Sequence, residues 1–289
     1  MTEPAVRTAS VSDAAQQTLL DVRGLEKSFV RSRNFFGRAT AHHAAVRDVS
    51  FSLAKGETLA LVGESGAGKS TVGRLVLRLI EPDAGSVVFD GTDVSTLDRR
   101  DLVRFRRRTQ MIFQDPYGSL DPRIDVGTSV GEPLLIHDKL PRAERDRRAE
   151  ELLDKVGLSR RTAAAHPSEL SGGQLQRVAI ARALALEPDL IVCDEPVAAL
   201  DVSVRAQVLN LMTDLQEELG LSYLFISHDL ALVEVIADRV AVMRQGEIVE
   251  IGPAEQLYSA PRHEYTRELL AAVPVPVPPS LRTGRVARA

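Results

Sequence analysis

The sequence predicts an α/β fold, a mainly parallel sheet covered by helices with a helical subdomain inserted into it. Three observations carry that prediction. Short apolar runs alternate with amphipathic stretches along most of the 289 residues. A glycine-rich loop, Gly63–Ser70, stands between an apolar run and a helix-forming stretch. Between Asp115 and Pro167 the β signal lapses and helical stretches take over. The length suffices to bury a full core, and 44% hydrophobic with 26% charged residues is the composition of a globular chain.

Residues 1–18, rich in Ala, Ser and Thr, read as a disordered tail. From Leu19 the pattern is one of short strands. Val49–Leu53 alternates before a Lys55-Gly56-Glu57 turn, and Thr58–Val62 is continuously apolar. A helix is expected over Ser70–Ile80, closed by Glu81–Gly85, then a strand over Thr109–Phe113 and a helix over Arg142–Val156. Gly172–Leu186 is helical, with Leu175, Val178, Ala179, Ala183 and Leu186 on one face. Leu190–Cys193 is a buried strand, Val204–Leu219 a helix, Tyr223–Ser227 a strand and Leu230–Ala237 a helix. Val240–Met243 and Ile248–Ile251 flank Gly246 as a hairpin. Pro274–Pro279 favours an extended polyproline tail.

Several function classes drop out. A net charge of −4 gives no reason to expect nucleic acid. The six arginines of Arg99–Arg108 read as a solvated helix face, without the basic domain that nucleic acid requires. Cys193 is the only cysteine, so no disulfide forms within the chain and a reducing compartment is expected. Its place in an apolar run suits a small buried hydrophobe. Met1–Gln17 has no signal-peptide core and no run is long enough for a membrane helix, so a cytoplasmic chain is expected, with membrane contact only through a partner.

The chemistry concentrates in three segments. In Gly63-Glu64-Ser65-Gly66-Ala67-Gly68-Lys69-Ser70, glycines let the N–H groups of Gly66 to Thr71 curl round phosphate oxygens at a helix N-terminus. Lys69 supplies charge to the outer phosphates and the Ser70 hydroxyl a ligand for Mg²⁺. Leu190–Glu195 is a buried strand ending in two acids: Asp194 is assigned to Mg²⁺ through water, Glu195 to orienting or deprotonating the attacking water. The third segment, Ser171-Gly172-Gly173-Gln174, offers a hydroxyl and amides at a helix start. On local grounds it is equally an N-cap followed by a glycine turn.

Gly63–Ser70, Gln114, Leu170–Gln174, Leu190–Glu195, Ala199-Leu200-Asp201 and His228 occur in the order and spacing of an ABC transporter ATPase, a resemblance spanning about residues 20–273. It implies a P-loop cassette over 19–255 with an antiparallel β subdomain, a helical subdomain at about 115–170, and a C-terminal extension over 256–289. By the same resemblance Gln114 touches Mg²⁺ or the attacking water and hinges the helical subdomain, and His228 contacts the γ-phosphate. Asp201 crosses to a partner subunit, and Ser171 and Gly173 contact ATP held by that partner. An aromatic near the first strand stacks on adenine: Phe29 is the candidate, with Phe35 and Phe36 as competitors and a plain core role for Phe29 left open.

Finer motifs resemble the dipeptide, oligopeptide and nickel importers, and within them the second of two paired ATPases. They are Phe113–Arg123, Cys193–Val197, Leu200–Ser203 and Tyr265–Pro274. Two departures stand out. Glu264 replaces the usual proline after His263, and no cysteine follows Cys193, so no iron–sulfur cluster is expected. The implied assembly has a second ATPase, different or identical, two transmembrane permease subunits and, indirectly, an extracytoplasmic substrate-binding protein, at the cytoplasmic face of the membrane and without nucleic acid. The rivals are an accessory ABC ATPase of phosphonate breakdown and a soluble ABC ATPase outside transport.

Overall fold

Two sheets organise the chain in the computed structural model, which describes residues 17–33 and 39–272. The tail up to Gln16, Phe35, Phe36 and the Pro274–Pro279 segment lie outside those residues. The first sheet is antiparallel, in the order β2-β1-β4-β5, from β1 (Thr18–Arg33), β2 (Ala39–Ala54), β4 (Ala84–Phe89) and β5 (Thr92–Asp93). Between β2 and β4 come β3 (Thr58–Val62) and helix α1 (Lys69–Val76). The short strands expected after Leu19 are instead two strands of 16 residues. Repeated register shifts between β1 and β2 break the period-two pattern, which is why the sequence reads as fragments.

Helix α2 (Arg99–Arg108) leads into β6 (Thr109–Ile112). Then follow α3 (Pro116–Ser119), α4 (Val126–Asp138), α5 (Arg142–Lys155) and α6 (Gly172–Leu184). β7 (Leu190–Asp194), α7 (Val202–Leu219), β8 (Ser222–Ser227), α8 (Leu230–Ile236), β9 (Arg239–Arg244) and β10 (Glu247–Pro253) come next, and α9 (Ala254–Ser259) and α10 (Glu264–Ala271) end the described chain. The second sheet has the order β10-β9-β3-β8-β7-β6; its pairings are parallel except for the β9–β10 hairpin.

Strands β3, β7 and β8 are buried on both faces. Their side chains alternate between two cores, as a strand's period of two requires. Ala60, Val62, Ile191, Cys193, Tyr223 and Phe225 pack with α4, α5 and α6, whereas Leu59, Leu61, Leu190, Val192, Leu224 and Ile226 pack with α1 and the antiparallel sheet. The register puts Val62 beside Ser227, Asp194 beside Ile226 and Ile112 beside Cys193. The residues that follow, Gly63, Glu195, His228 and Gln114, therefore emerge together at the carboxyl edge of the sheet, where open α/β sheets bind ligands.

Helix α1 stops at Val76, short of the expected Ile80. Arg78 turns left-handed there (φ 48°), and its guanidinium donates to the Val94 and Leu97 carbonyls, both at 3.0 Å. Tertiary bonds thus override local helix preference. Helix α6 is buried on more than the expected stripe, with Gln176, Ile180, Ala181 and Leu184 also inside, because it is wedged between the sheet and the helical region.

Helix α2 is not simply a solvated face. Arg108 packs over the Phe89 ring at 4.9 Å and donates to Asp90 (2.7 Å) and Asp189 (2.5 Å). Its bond lowers the pKa of Asp90. Cys193 is fully buried, and burial pushes its thiol well above the ordinary range. Glu264 stands exposed at the first position of α10, where proline and an acid are both favourable, so that departure leaves the helix intact. Among the described residues no helix is long and apolar enough to cross a membrane.

Candidate nucleotide site

A cavity of about 730 Å³ opens at the carboxyl edge of the second sheet. Its floor is the loop between β3 and α1, and Gly63, Glu64, Ser65, Gly66, Gly68, Lys69, Ser70 and Thr71 line it. Two glycines there are sterically obligatory. Gly63 has φ 150° and a Cβ on it would lie 2.2 Å from the Met243 carbonyl oxygen; Gly68 has φ 103° and its Cβ would lie 2.1 Å from that of Ala45. The loop is thereby pressed between β9 and β2. The first-turn amides of α1 have no acceptor within the helix, which makes this end an anion site. Ala67, expected among the nucleotide contacts, is the exception: it is buried, does not line the cavity, and its N–H donates to the Glu64 carbonyl at 3.2 Å.

Lys69 is 4% exposed, and its ammonium donates to the carbonyls of Gly63 (2.7 Å) and Glu64 (2.9 Å). Burial lowers its pKa, while the charges of Glu195 and Asp194 oppose the shift. The Ser70 hydroxyl donates to Asp194 Oδ1 at 2.7 Å, so Asp194 lies beneath the loop rather than on the cavity wall.

Glu195 occupies the centre. Its backbone is left-handed (φ 50°), an uncommon state for a residue with a side chain. That turn is held by its N–H donating to the Ile226 carbonyl at 3.0 Å. Gln114 Nε2 donates to one carboxylate oxygen at 3.0 Å, and His228 Nδ1 lies 3.0 Å from the other. Three strand ends thus converge on one carboxylate.

Phe29 lines the cavity and is 42% exposed, so the core role left open for it does not hold. It pairs across the sheet with His43, which also lines the cavity. Ser171–Gln174 and Asp201 are not brought to this cavity. Ser171 caps α6: its hydroxyl accepts from Gln174 N (3.3 Å), and Gln174 Oε1 accepts from Ser171 N (2.9 Å). The N-cap reading is thus realised. Gly173 is there for space, since a Cβ would lie 2.4 Å from Val204 Cγ1. Asp201 is exposed at the start of α7, without a capping bond.

Sequence reasoning missed several residues. His43, Ala45, Leu230 and Leu269 line the cavity, and the Tyr265 hydroxyl lies 3.4 Å from Glu64 N. Arg205 fastens the loop between Glu195 and Asp201, donating to the Leu200 (2.7 Å) and Ala198 (3.2 Å) carbonyls and reaching Asp229 (3.5 Å). No local signal marks these residues, because each acts on groups outside its own helix or strand. Only Tyr265 and Leu269 fell within a motif the sequence singled out, Tyr265–Pro274.

A phosphate loop on a parallel sheet, facing an acid at the end of a strand one removed in the same sheet, defines a P-loop nucleotide-binding protein. The ABC transporter family model matches residues 46–198, and this chain belongs to that family. A second model, for the oligopeptide/dipeptide transporter C-terminal region, matches residues 249–288.

Among its relatives, the probable peptide ABC transporter ATP-binding protein y4tS of Sinorhizobium fredii is 52% identical over 264 residues, covering 91% of this chain and 75% of that protein. The glutathione import ATP-binding protein GsiA of Escherichia coli K12 is 50% identical over 283 residues, 98% of this chain. The chain spans only 45% of the length of that relative. Among solved structures, the dimeric post-hydrolysis ATP-binding cassette MJ0796, bound to ADP and Pi, matches with TM-score 0.72 at 30% identity, over 82% of this chain and 99% of that one. CbiO1 of Clostridium perfringens, part of the ABC transporter complex cbiONQ, matches with TM-score 0.72 at 27% identity, over 85% and 92%.

Proposed function

We propose that this chain is the ATP-binding and ATP-hydrolysing subunit of an ABC importer for small peptides. One observation carries the reading: a phosphate loop facing Glu195, Gln114 and His228 shares the chain with a C-terminal region of the oligopeptide/dipeptide transporter kind. The relatives' names point the same way, one to peptides and one to glutathione, itself a small peptide.

ATP sits with its base against Phe29 and its phosphates over the N-terminus of α1. Lys69 carries charge to the outer phosphates as the amides of Gly66 and of Gly68 to Thr71 engage their oxygens. Glu195 orients the attacking water and accepts its proton, with Gln114 and His228 fixing the carboxylate and His228 facing the γ-phosphate. Ser70, Asp194 and the Gln114 carbonyl offer oxygen donors alone, and Ser70 and Asp194 already converge at 2.7 Å, a set suited to Mg²⁺. Those donors would hold Mg²⁺, which would supply positive charge to the phosphates there. Phosphates and water complete such a site, so it needs no larger cluster of protein ligands.

The outward-facing Ser171–Gln174 segment supports a head-to-tail dimer, in which Ser171 and Gly173 meet the γ-phosphate held by the other subunit and Asp201 crosses the interface. The partner is a second ATPase or a second copy of this chain. Two permease subunits anchor the pair to the cytoplasmic face of the membrane, and a binding protein outside delivers cargo. On this reading residues 19–255 form the ATPase domain, 115–170 its helical subdomain, and 256–289 the extension.

Glu195→Gln tests the chemistry. ATP binding is retained, steady-state phosphate release falls about a hundredfold or more, and an ATP-loaded dimer accumulates on size-exclusion chromatography. Unchanged phosphate release would remove Glu195 from its role. Co-purification from membranes with two permeases and another ATPase tests the transport reading; a wholly soluble, permease-free preparation counts against it.

A further inference from the structure

Helix α10 reaches the phosphate loop from 201 positions away. Its N-terminus is fastened to β10: Glu250 accepts the N–H groups of Arg262 (2.8 Å) and His263 (3.0 Å), and His263 Nδ1 accepts that of Tyr265 (3.1 Å). Burial alone would raise the pKa of Glu250, but those two N–H groups help hold it below its usual value. So anchored, α10 turns Tyr265 and Leu269, four positions apart on one face, toward the loop and the cavity.

Tyr265 is 3% exposed, its ring lies 4.7 Å from the Arg244 guanidinium, and its hydroxyl accepts the Glu64 N–H at 3.4 Å. The Gly63–Glu64 segment is therefore clamped twice, by Lys69 on its carbonyls and by Tyr265 on an amide. An arriving phosphate competes for the Lys69 ammonium. The Tyr265 contact lies outside that competition and holds the loop while Lys69 changes partner.

We propose that α10 is part of the nucleotide site, with Tyr265 as a positioning residue for the phosphate loop and Leu269 as an apolar wall of the cavity, so that nucleotide binding and seating of the C-terminal extension are coupled. This inference rests on the cavity taking ATP. Coupling is reciprocal: whatever α10 contributes to nucleotide affinity, nucleotide returns to the stability of α10 on the loop.

The test uses the purified full chain. Tyr265→Phe keeps the ring over Arg244 and removes the acceptor. The KM for ATP and the Kd for ADP rise about two- to tenfold, the range of one neutral hydrogen bond, and the change falls on KM rather than kcat. Leu269→Ala, at a half-buried position that tolerates truncation, shifts KM in the same direction, and Leu269→Met restores it. In the wild-type chain, saturating ADP slows amide exchange across residues 262–272, and Lys69→Ala abolishes that slowing together with binding. The inference is overturned if wild-type protein binds ATP, Lys69→Ala does not, and both α10 variants keep wild-type KM with exchange in α10 unaltered by ADP. A loss confined to kcat overturns it as well. If the wild-type chain binds no ATP, the proposed function falls along with it.

Discussion

The phosphate loop ahead of α1 and the Ser-Gly-Gly-Gln segment ahead of α6 share a design, glycines leading into a helix N-terminus, yet the fold treats them oppositely. In the first, glycines supply conformation: Gly63, Gly66 and Gly68 all have positive φ, and the loop is pressed against β2 and β9. Buried Lys69, half-buried Glu195 and the exposed Gln114 and His228 then converge on it. In the second, glycines supply space. Gly172 and Gly173 lack positive φ and lie against Leu200 and Val204, while Ser171 and Gln174 satisfy each other. The difference teaches that one segment is a site built by its own chain and the other an exposed, self-capped surface, which supports the proposal that a partner closes it.

Lys69→Ala and Ser171→Arg test that comparison with the largest effects. Lys69→Ala weakens ATP binding by the isolated chain about a hundredfold or more, as loss of a charged hydrogen-bonding group does. Ser171→Arg leaves that binding within about twofold but lowers turnover about a hundredfold by blocking the partner's phosphate. Equal loss of equilibrium ATP binding in both, measured by calorimetry, would merge the two segments into one site. Ser171→Asp separates capping from phosphate contact: thermal stability is kept because aspartate also caps, while turnover falls about tenfold or more from charge repulsion.

Smaller effects sharpen the picture. Phe29→Ala weakens ATP binding by about fivefold or more, since base–aromatic stacking contributes ~1–3 kcal/mol, and Phe29→Tyr restores it; equal affinities in a nucleotide titration would clear Phe29 of that role. Gly173→Ala costs about 1–3 kcal/mol in urea unfolding through overpacking against Val204. Adding Val204→Ala returns most of it, which isolates steric space as the reason for that glycine.

Much of this was legible in the chain because it is local. Thr58–Val62, Gly63–Ser70 and Leu190–Glu195 each put a strand, a turn and a reactive group within a few residues, and a parallel sheet leaves few ways to arrange them. The lengths of β1 and β2 were hidden, since register shifts destroy the alternation that marks a strand. The end of α1 was hidden because Arg78 is turned out of the helix by carbonyls of Val94 and Leu97. His43, Leu230 and Leu269 were hidden because side chains on separate elements line a cavity without any shared spacing.

By itself the sequence determined that a phosphate loop exists, which acid faces it and that a second glycine-led helix start follows, because these depend on backbone freedom and residue chemistry over a few positions. Only the tertiary structure decided which groups share a cavity. It brought Gln114, Glu195 and His228 together through strand register and turned Ser171 away. It also carried Tyr265 back to the loop through an anchor on Glu250. Such contacts are set by how strands align and helices pack over long separations, and no residue pattern in one stretch of chain encodes them.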